Sequence, residues 1–200
     1  METNLTPKDY QFFRLLGLLT ITLGWFGFAL TLAGCFASWL VWLGVISILG
    51  FFGYWIGSQK LFRGLSREFV VLGIIFLIVT TVFSFFSTPT IFSGRDQGSI
   101  SESAIRLSQN GQLEFSTPES EVFFKIYGPG RALNFPGFHY TPGGNLITQF
   151  PLIYTSWLAL FFSLFGLTGF LIANALLFFV FSFSLYLLFR LFAEPKYGPL

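Results

Sequence analysis

The chain has one cysteine, one histidine and one methionine in 200 residues, and only 10% of its residues carry charge. Each shortage excludes something. A single cysteine, Cys35, rules out an intrachain disulfide. His139 stands alone, with no Cys, His or Asp at ligand spacing, which argues against a zinc site. A formal net charge of only +2 gives no electrostatic case for nucleic acid. A soluble domain carries roughly 25% charged residues, so this chain cannot cover a water-facing surface. What it has instead is apolar: 54% hydrophobic residues, 30 of them phenylalanine, at a mean hydropathy of +0.71. The expected class is an α-helical integral membrane protein with about four transmembrane helices and an outer-face loop carrying amphipathic interfacial helices.

The apolar runs and the charges between them set the expected layout. Residues 1–14 form a cytoplasmic N-terminus. Residues 15–57 form a transmembrane hairpin, two uncharged runs that meet at Gly34-Cys35. Leu32-Ala33-Gly34-Cys35 resembles a lipoprotein cleavage box, but the run before it is too long for a signal peptide and another span follows, so we read a helix turn. Residues 58–68 form a basic loop, 69–86 a third span and 87–150 an outer loop. Residues 151–166 form an interfacial helix, ended by the Gly166-Leu-Thr-Gly169 break, 167–189 the last span and 190–200 a cytoplasmic tail. Lys8 and Arg14, then Lys60, Arg63 and Arg67, then Arg190 and Lys196 fall on one side by the positive-inside rule. The outer loop, with four basic residues against five acidic, nets −1. Both termini are expected in the cytoplasm of a bacterial cell. Gly53-Tyr-Trp-Ile-Gly57 is a small-xxx-small pattern of the kind that lets helices approach closely.

The polar loop is where chemistry is expected. Ser99-Ile-Ser-Glu102 fits a capping box, Ile100, Ala104 and Leu107 recur on one face, Glu102 and Arg106 pair at i,i+4, and Gly111 supplies a left-handed stop. These signs predict an amphipathic helix over 99–110 resting on the membrane surface. Asp96 then lies just before its N-terminus, where the helix dipole favours a carboxylate. By position alone it reads as a solvated loop residue or as a general base. Gln112–Ser116 and Glu121–Tyr127 read as strands, separated by turns at Gly128-Pro-Gly130, Pro136-Gly137 and Pro142-Gly-Gly144. The aromatics between Phe115 and Tyr140 read mainly as an interfacial belt, with sugar stacking as the alternative. Lys125 and Arg131 are candidates for an anionic lipid phosphate, and His139 for an interface contact or proton transfer. Thr155, Ser156, Ala159 and Ser163 form a small-residue stripe suited to helix packing.

Two segments carry a resemblance. Gly94-Arg-Asp-Gln-Gly-Ser-Ile-Ser-Glu-Ser-Ala-Ile-Arg-Leu-Ser-Gln-Asn-Gly-Gln-Leu113 resembles the first outer loop of the polyprenyl-phosphate-sugar-dependent membrane glycosyltransferases of the GT-C superfamily, such as protein O-mannosyltransferases and the aminoarabinose transferases of lipid A. Gln149-Phe-Pro-Leu-Ile-Tyr154 and Trp157–Gly166 look like the Pro-Leu-x-Tyr stretch and interfacial helix that follow it. The match covers about residues 69–192. The resemblance implies that Asp96 is the catalytic carboxylate of an inverting sugar transfer from a lipid-linked donor. Arg95, Gln97, Lys125, Arg131, His139 and Gln149 would line the substrate site. Some members bind a divalent metal near the site. Here Gln97 stands where a second acid is frequent, Gln149 where a Glu is frequent, and Ile172-Ala173-Asn174 where an Arg is common. Family enzymes have about a dozen spans. The resemblance therefore implies the N-terminal portion of a longer enzyme, or a reduced relative that works with further spans or a partner subunit. The alternative is a non-enzymatic membrane protein whose outer loop holds a partner.

Overall fold

A computed structural model describes residues 5–87 and 96–193. Seven α-helices account for most of them: α1 (Pro7–Leu32), α2 (Ser38–Ser58), α3 (Arg67–Phe86), α4 (Asp96–Asn110), α5 (Pro118–Tyr127), α6 (Leu152–Phe165) and α7 (Thr168–Ala193). Three short antiparallel strands, β1 (Gly130–Arg131), β2 (Phe138–Tyr140) and β3 (Leu146–Thr148), form one sheet in that order. Four helices are long and apolar enough to cross a membrane: Pro7–Leu32, Ser38–Ser58, Arg67–Phe86 and Thr168–Arg190. At 1.5 Å per residue each reaches about 30 Å or more. Their outward residues, among them Trp39, Phe51, Ile74, Phe83 and Phe181, are exposed and apolar. Such a surface suits an apolar surrounding.

The helix ends differ from the hydropathy runs because caps, not hydropathy, end a hydrogen-bond ladder. α1 starts at Pro7 rather than near residue 15. Its start is fixed by Asp9, only 1% exposed, whose carboxylate accepts from the Thr6 backbone N–H (2.6 Å). α7 runs on through Arg190 to Ala193.

The chain packs as two units. The first comprises the described residues of Met1–Thr22, Ile46–Ser87 and Leu171–Leu200. Asp9 also accepts from the Ser66 N–H (2.9 Å), and the Ser66 hydroxyl caps α3 by accepting from Phe69 N (3.1 Å). One buried carboxylate thus orders the segment leading into α3. α3 and α7 lie antiparallel. The Phe83 and Phe178 rings meet near one end, Phe76 and Phe183 in the middle, and Glu68 pairs with Arg190 at the other. Tyr186 donates to Glu68 (3.1 Å) and accepts from Arg190 (2.8 Å), completing the triad. Gly53 and Gly57, expected to seat another helix, are exposed, and a Cβ added at either would meet nothing within 4 Å. Among the described residues the small-xxx-small pattern seats no other helix.

The second unit comprises the described residues of Leu23–Val45 and Thr88–Phe170. At its centre is α6, whose residues Thr155 to Phe161 are all buried. That central stretch is enclosed by the chain, because its small-residue stripe lets other elements close on it, while Ile153 and Phe165 toward its ends stay exposed. The Thr31 and Ser156 hydroxyls hydrogen-bond (2.7 Å), and Gly27 lies against the Ser156 carbonyl. Gly166 (φ +61°) ends α6, and α7 begins two residues later. The predicted Gly166–Gly169 break is therefore a tight helix–helix corner. Gly169 packs so closely on the Phe161 backbone that a Cβ would be driven into its carbonyl.

Two glycines should respond oppositely to alanine. Gly169→Ala should destabilise by about 1–3 kcal/mol through overpacking. Gly53→Ala, in open space mid-helix, should leave stability unchanged or raise it by up to about 1 kcal/mol. Thermal melts of the detergent-purified variants check both. Equal melting temperatures would contradict the packing at the corner.

Candidate functional site

The polar part of the second unit is built on α4, which begins at Asp96 rather than at Ser99. The predicted capping box of Ser99 and Glu102 does not form. Ser99 lies inside the helix, buried, and its hydroxyl donates to the Pro136 carbonyl (2.6 Å). Ser103 donates back to the Ser99 carbonyl (2.8 Å). Glu102 pairs with Arg106 as expected (3.6 Å), and Arg106 also stacks over the Phe115 ring at 5.3 Å. Gly111, at φ +74°, ends the helix as its sequence predicts, and its carbonyl accepts from the N–H of fully buried Phe36 (3.1 Å).

The apolar face of α4 does not lie bare on a surface. Ala104, Ile105 and Leu107 are buried along with Gly98, Ser99 and Ser103, and the partner is α6. Ser108 and Ser163 hydrogen-bond across this contact (2.7 Å). The small side chains of both helices permit the approach, and their hydroxyls pair where they meet.

The segment predicted as a strand over Glu121–Tyr127 is α5. Its start is a reciprocal cap: Thr117 Oγ1 accepts from Ser120 N (3.1 Å) and Ser120 Oγ accepts from Thr117 N (2.9 Å), with Pro118 at the first position. The sequence signal for it was Thr117-Pro-Glu-Ser120, a cap residue, an N1 proline and an acid in the first turn. Of Gln112–Ser116, only Phe115 pairs, bonding Leu146 in both directions (3.1 and 2.7 Å). Of the aromatics expected as a belt, Tyr127 stays exposed and the others make a core. Phe115, Phe138 and Tyr140 are buried with Leu146 and Ala132, and Phe123, Phe124 and Phe135 pack against them.

Asp96 and Gln97 are exposed at the start of α4. That turn meets the Pro136–Gly137 turn through Ser99. Gly137, at φ +88°, leaves no room for a side chain: a Cβ would lie 2.7 Å from both Ser99 Oγ and the Phe150 ring. The Gly137 carbonyl accepts from Gln149 N (3.0 Å). The start of α4, the Pro136–Gly137 turn and Gln149 thus converge. Arg131 and His139 are direct partners across β1 and β2. Lys125 is exposed in the last turn of α5, on a different element. Arg95 lies outside the described residues. Among the described residues no three His, Cys, Asp or Glu side chains gather as a metal site. No family model, curated protein or solved structure matches the chain.

Tyr140 supplies a test of the lobe's packing. Burial raises its phenol pKa above the ordinary 10.0, and its hydroxyl donates to the Ser120 carbonyl (2.9 Å). A raised folded-state pKa means stability that is complete below pH 10 and lost as pH rises through the folded value. The lobe should therefore loosen at alkaline pH, and Tyr140→Phe should flatten that dependence while costing about 1 kcal/mol at neutral pH. Hydrogen exchange of β2 and α5 across pH 8–11 checks it. An identical alkaline loss in the variant would show that another group governs it.

Proposed function

We propose that the chain is a membrane glycosyltransferase, or the N-terminal portion of one. It would transfer a sugar from a polyprenyl-phosphate carrier to a hydroxyl acceptor outside the bacterial cytoplasmic membrane. The observation that carries this reading is the placement of Asp96. It is an exposed carboxylate at the start of a helix whose opposite face is fixed on α6, beside the turn that holds Gln149. A general base needs this combination of access and rigid backing.

In this reading Asp96 takes the proton of the acceptor hydroxyl as its oxygen bonds to the anomeric carbon. The bond from that carbon to the carrier phosphate breaks. The phosphate leaves with the electron pair, and the configuration inverts. Arg95, Lys125 and Arg131 are the cations available to the leaving phosphate. Gln97, His139 and Gln149 offer hydrogen bonds to sugar hydroxyls. Further transmembrane segments or a partner subunit would complete the substrate cavity.

The layout fits. If the four long helices cross and α6, of 14 residues, does not, the three basic groups share one side and the loop between α3 and α7 faces the other. α6 would then lie near the outer interface. Both termini would be cytoplasmic.

A second reading, a non-enzymatic scaffold, is favoured by α5. Its Val122, Ile126 and Tyr127 are exposed, as is nearby Leu133 at 81%, an apolar face suited to a partner.

Asp96→Asn distinguishes the two. Transfer of labelled sugar from polyprenyl phosphate to extracytoplasmic acceptors, in membranes holding the full natural protein, should fall by about 10²–10⁴-fold with the melting temperature unchanged. Full transfer in the variant would overturn Asp96 as base, and absence of transfer in the wild type would favour the scaffold. Orientation has its own test in Cys35, the chain's single and exposed cysteine. A membrane-impermeant maleimide should label it in intact cells; labelling only after permeabilisation would invert the topology.

A further inference from the structure

The first unit contains a cavity of about 430 Å³ between α3 and α7, lined by Leu77, Thr80 and Ser84 on one side and Ile172, Ala175 and Phe179 on the other. Its size lies in the roughly 300–1,000 Å³ range of small-molecule sites. Thr80 is the anomaly within it. It is 95% buried, at 5% exposure, and its hydroxyl has no hydrogen-bond partner among the described residues.

Other hydroxyls on the long helices meet this problem with a bond to their own backbone. Thr20, Thr22, Thr31, Thr81 and Ser184 each donate to the carbonyl four residues earlier. Thr81, the very next residue, does so at 2.8 Å. Thr80 does not, although an unsatisfied buried hydroxyl is costly. A threonine in a helix has two accessible χ1 wells, and rotation between them exchanges its methyl and hydroxyl. The neighbouring cavity can therefore supply the missing acceptor. Water is a poor candidate, since it needs two to four polar partners and the lining is almost wholly apolar.

We propose that this cavity binds an acyl chain of an uncharged glycerolipid of the diacylglycerol type, whose ester carbonyl accepts from the Thr80 hydroxyl. Two observations select that occupant. No lining residue is ionisable, so a phosphate or carboxylate drawn into the cavity would lack a counter-charge. Thr80 lies six residues, about 9 Å, inside the Phe86 end of α3. An ester can follow its chain to that depth only when its headgroup is uncharged. The proposal does not depend on glycosyl transfer.

The test uses the full chain in nanodiscs containing traces of three photoactivatable diazirine lipids: a diacylglycerol, a phosphatidylglycerol and a prenyl quinone. Labelled residues are mapped by mass spectrometry. The diacylglycerol probe should label the 171–179 stretch of α7. Thr80→Val, which keeps the shape and removes the hydroxyl, should reduce that labelling about three- to tenfold, the range one neutral hydrogen bond supports. Thr22→Val, which removes a helix-bonded hydroxyl outside the cavity, should leave it unchanged, and Ala175→Phe should abolish it by filling the cavity. If Ala175→Phe fails to fold, the two threonine variants decide. The proposal is overturned if Thr80→Val labels like the wild type, or if phosphatidylglycerol or the quinone labels this stretch as strongly as diacylglycerol. It is overturned equally if adducts spread evenly to the exposed Phe181 and Phe189.

Discussion

The close seating of α4 on α6 is the contact on which the polar lobe depends. It joins two helices with small side chains, Ser103, Ala104 and Ser108 on one and Thr155, Ala159 and Ser163 on the other, and the Ser108 and Ser163 hydroxyls pair across it. Bulky side chains would hold the helices apart, at the 8–10 Å typical of packed pairs or beyond. Small ones bring the backbones together, and their hydroxyls then find each other or a backbone carbonyl. Thr31 bonds Ser156 in the same way, so α6 is held by hydroxyl contacts to two helices. Apolar surface alone gives no orientation where the surroundings are equally apolar. Directional hydrogen bonds between closely packed helices do, and they fix how α4 is rotated about its axis.

That rotation decides which residues of α4 remain outside. With Gly98, Ser99, Ser103, Ala104 and Leu107 turned inward, Asp96, Gln97 and the Glu102–Arg106 pair are turned outward. The Ser99 hydroxyl extends the same constraint to the Pro136 carbonyl, and Gly137 accepts the close approach because it has no side chain to displace. The small sheet then carries the order to Gln149. Its core of interlocked rings is fastened to α5 by the Tyr140–Ser120 bond. Most of the lobe's aromatic content is consumed in holding this arrangement. Exposed aromatic and aliphatic surface survives chiefly on α5.

The sequence made the long helices and the glycine turns legible for simple reasons. An uncharged run of about 20 residues has few alternatives, and Gly111, Gly144 and Gly166 sit at positive φ, where other residues are strained. The errors came where local signals competed. Ser99-x-x-Glu102 is a sound capping pattern, but Ser99 found a better acceptor 37 residues away, and the helix started one turn earlier. The valine, phenylalanines and tyrosine of Glu121–Tyr127 favour strand by composition, yet the Thr117 cap and Pro118 decided for helix. The role of Asp9 is not legible in the sequence, because its partners are backbone N–H groups, which a sequence does not display. At the candidate site the helix and its stop at Gly111 were readable, its start only to within a turn. The approach of Gln149 was not, since it runs through one glycine carbonyl.

The first unit shows how the same chain handles full charges. Glu68 and Arg190 lie at opposite ends of their own helices in sequence, and only an antiparallel α3 and α7 bring them together. Tyr186 bridges them, one turn before Arg190, so the carboxylate meets two donors rather than one. Pairing at the helix ends avoids the penalty that a lone charge would incur deeper in an apolar medium. It also fixes register. Sliding α7 by one turn along α3 would separate Glu68 from both partners and leave a half-buried charge uncompensated, while the edge-to-face phenylalanines farther along impose no such single alignment. Aromatic packing provides the adhesion between these two helices, and the triad at one end selects the single alignment in which they adhere.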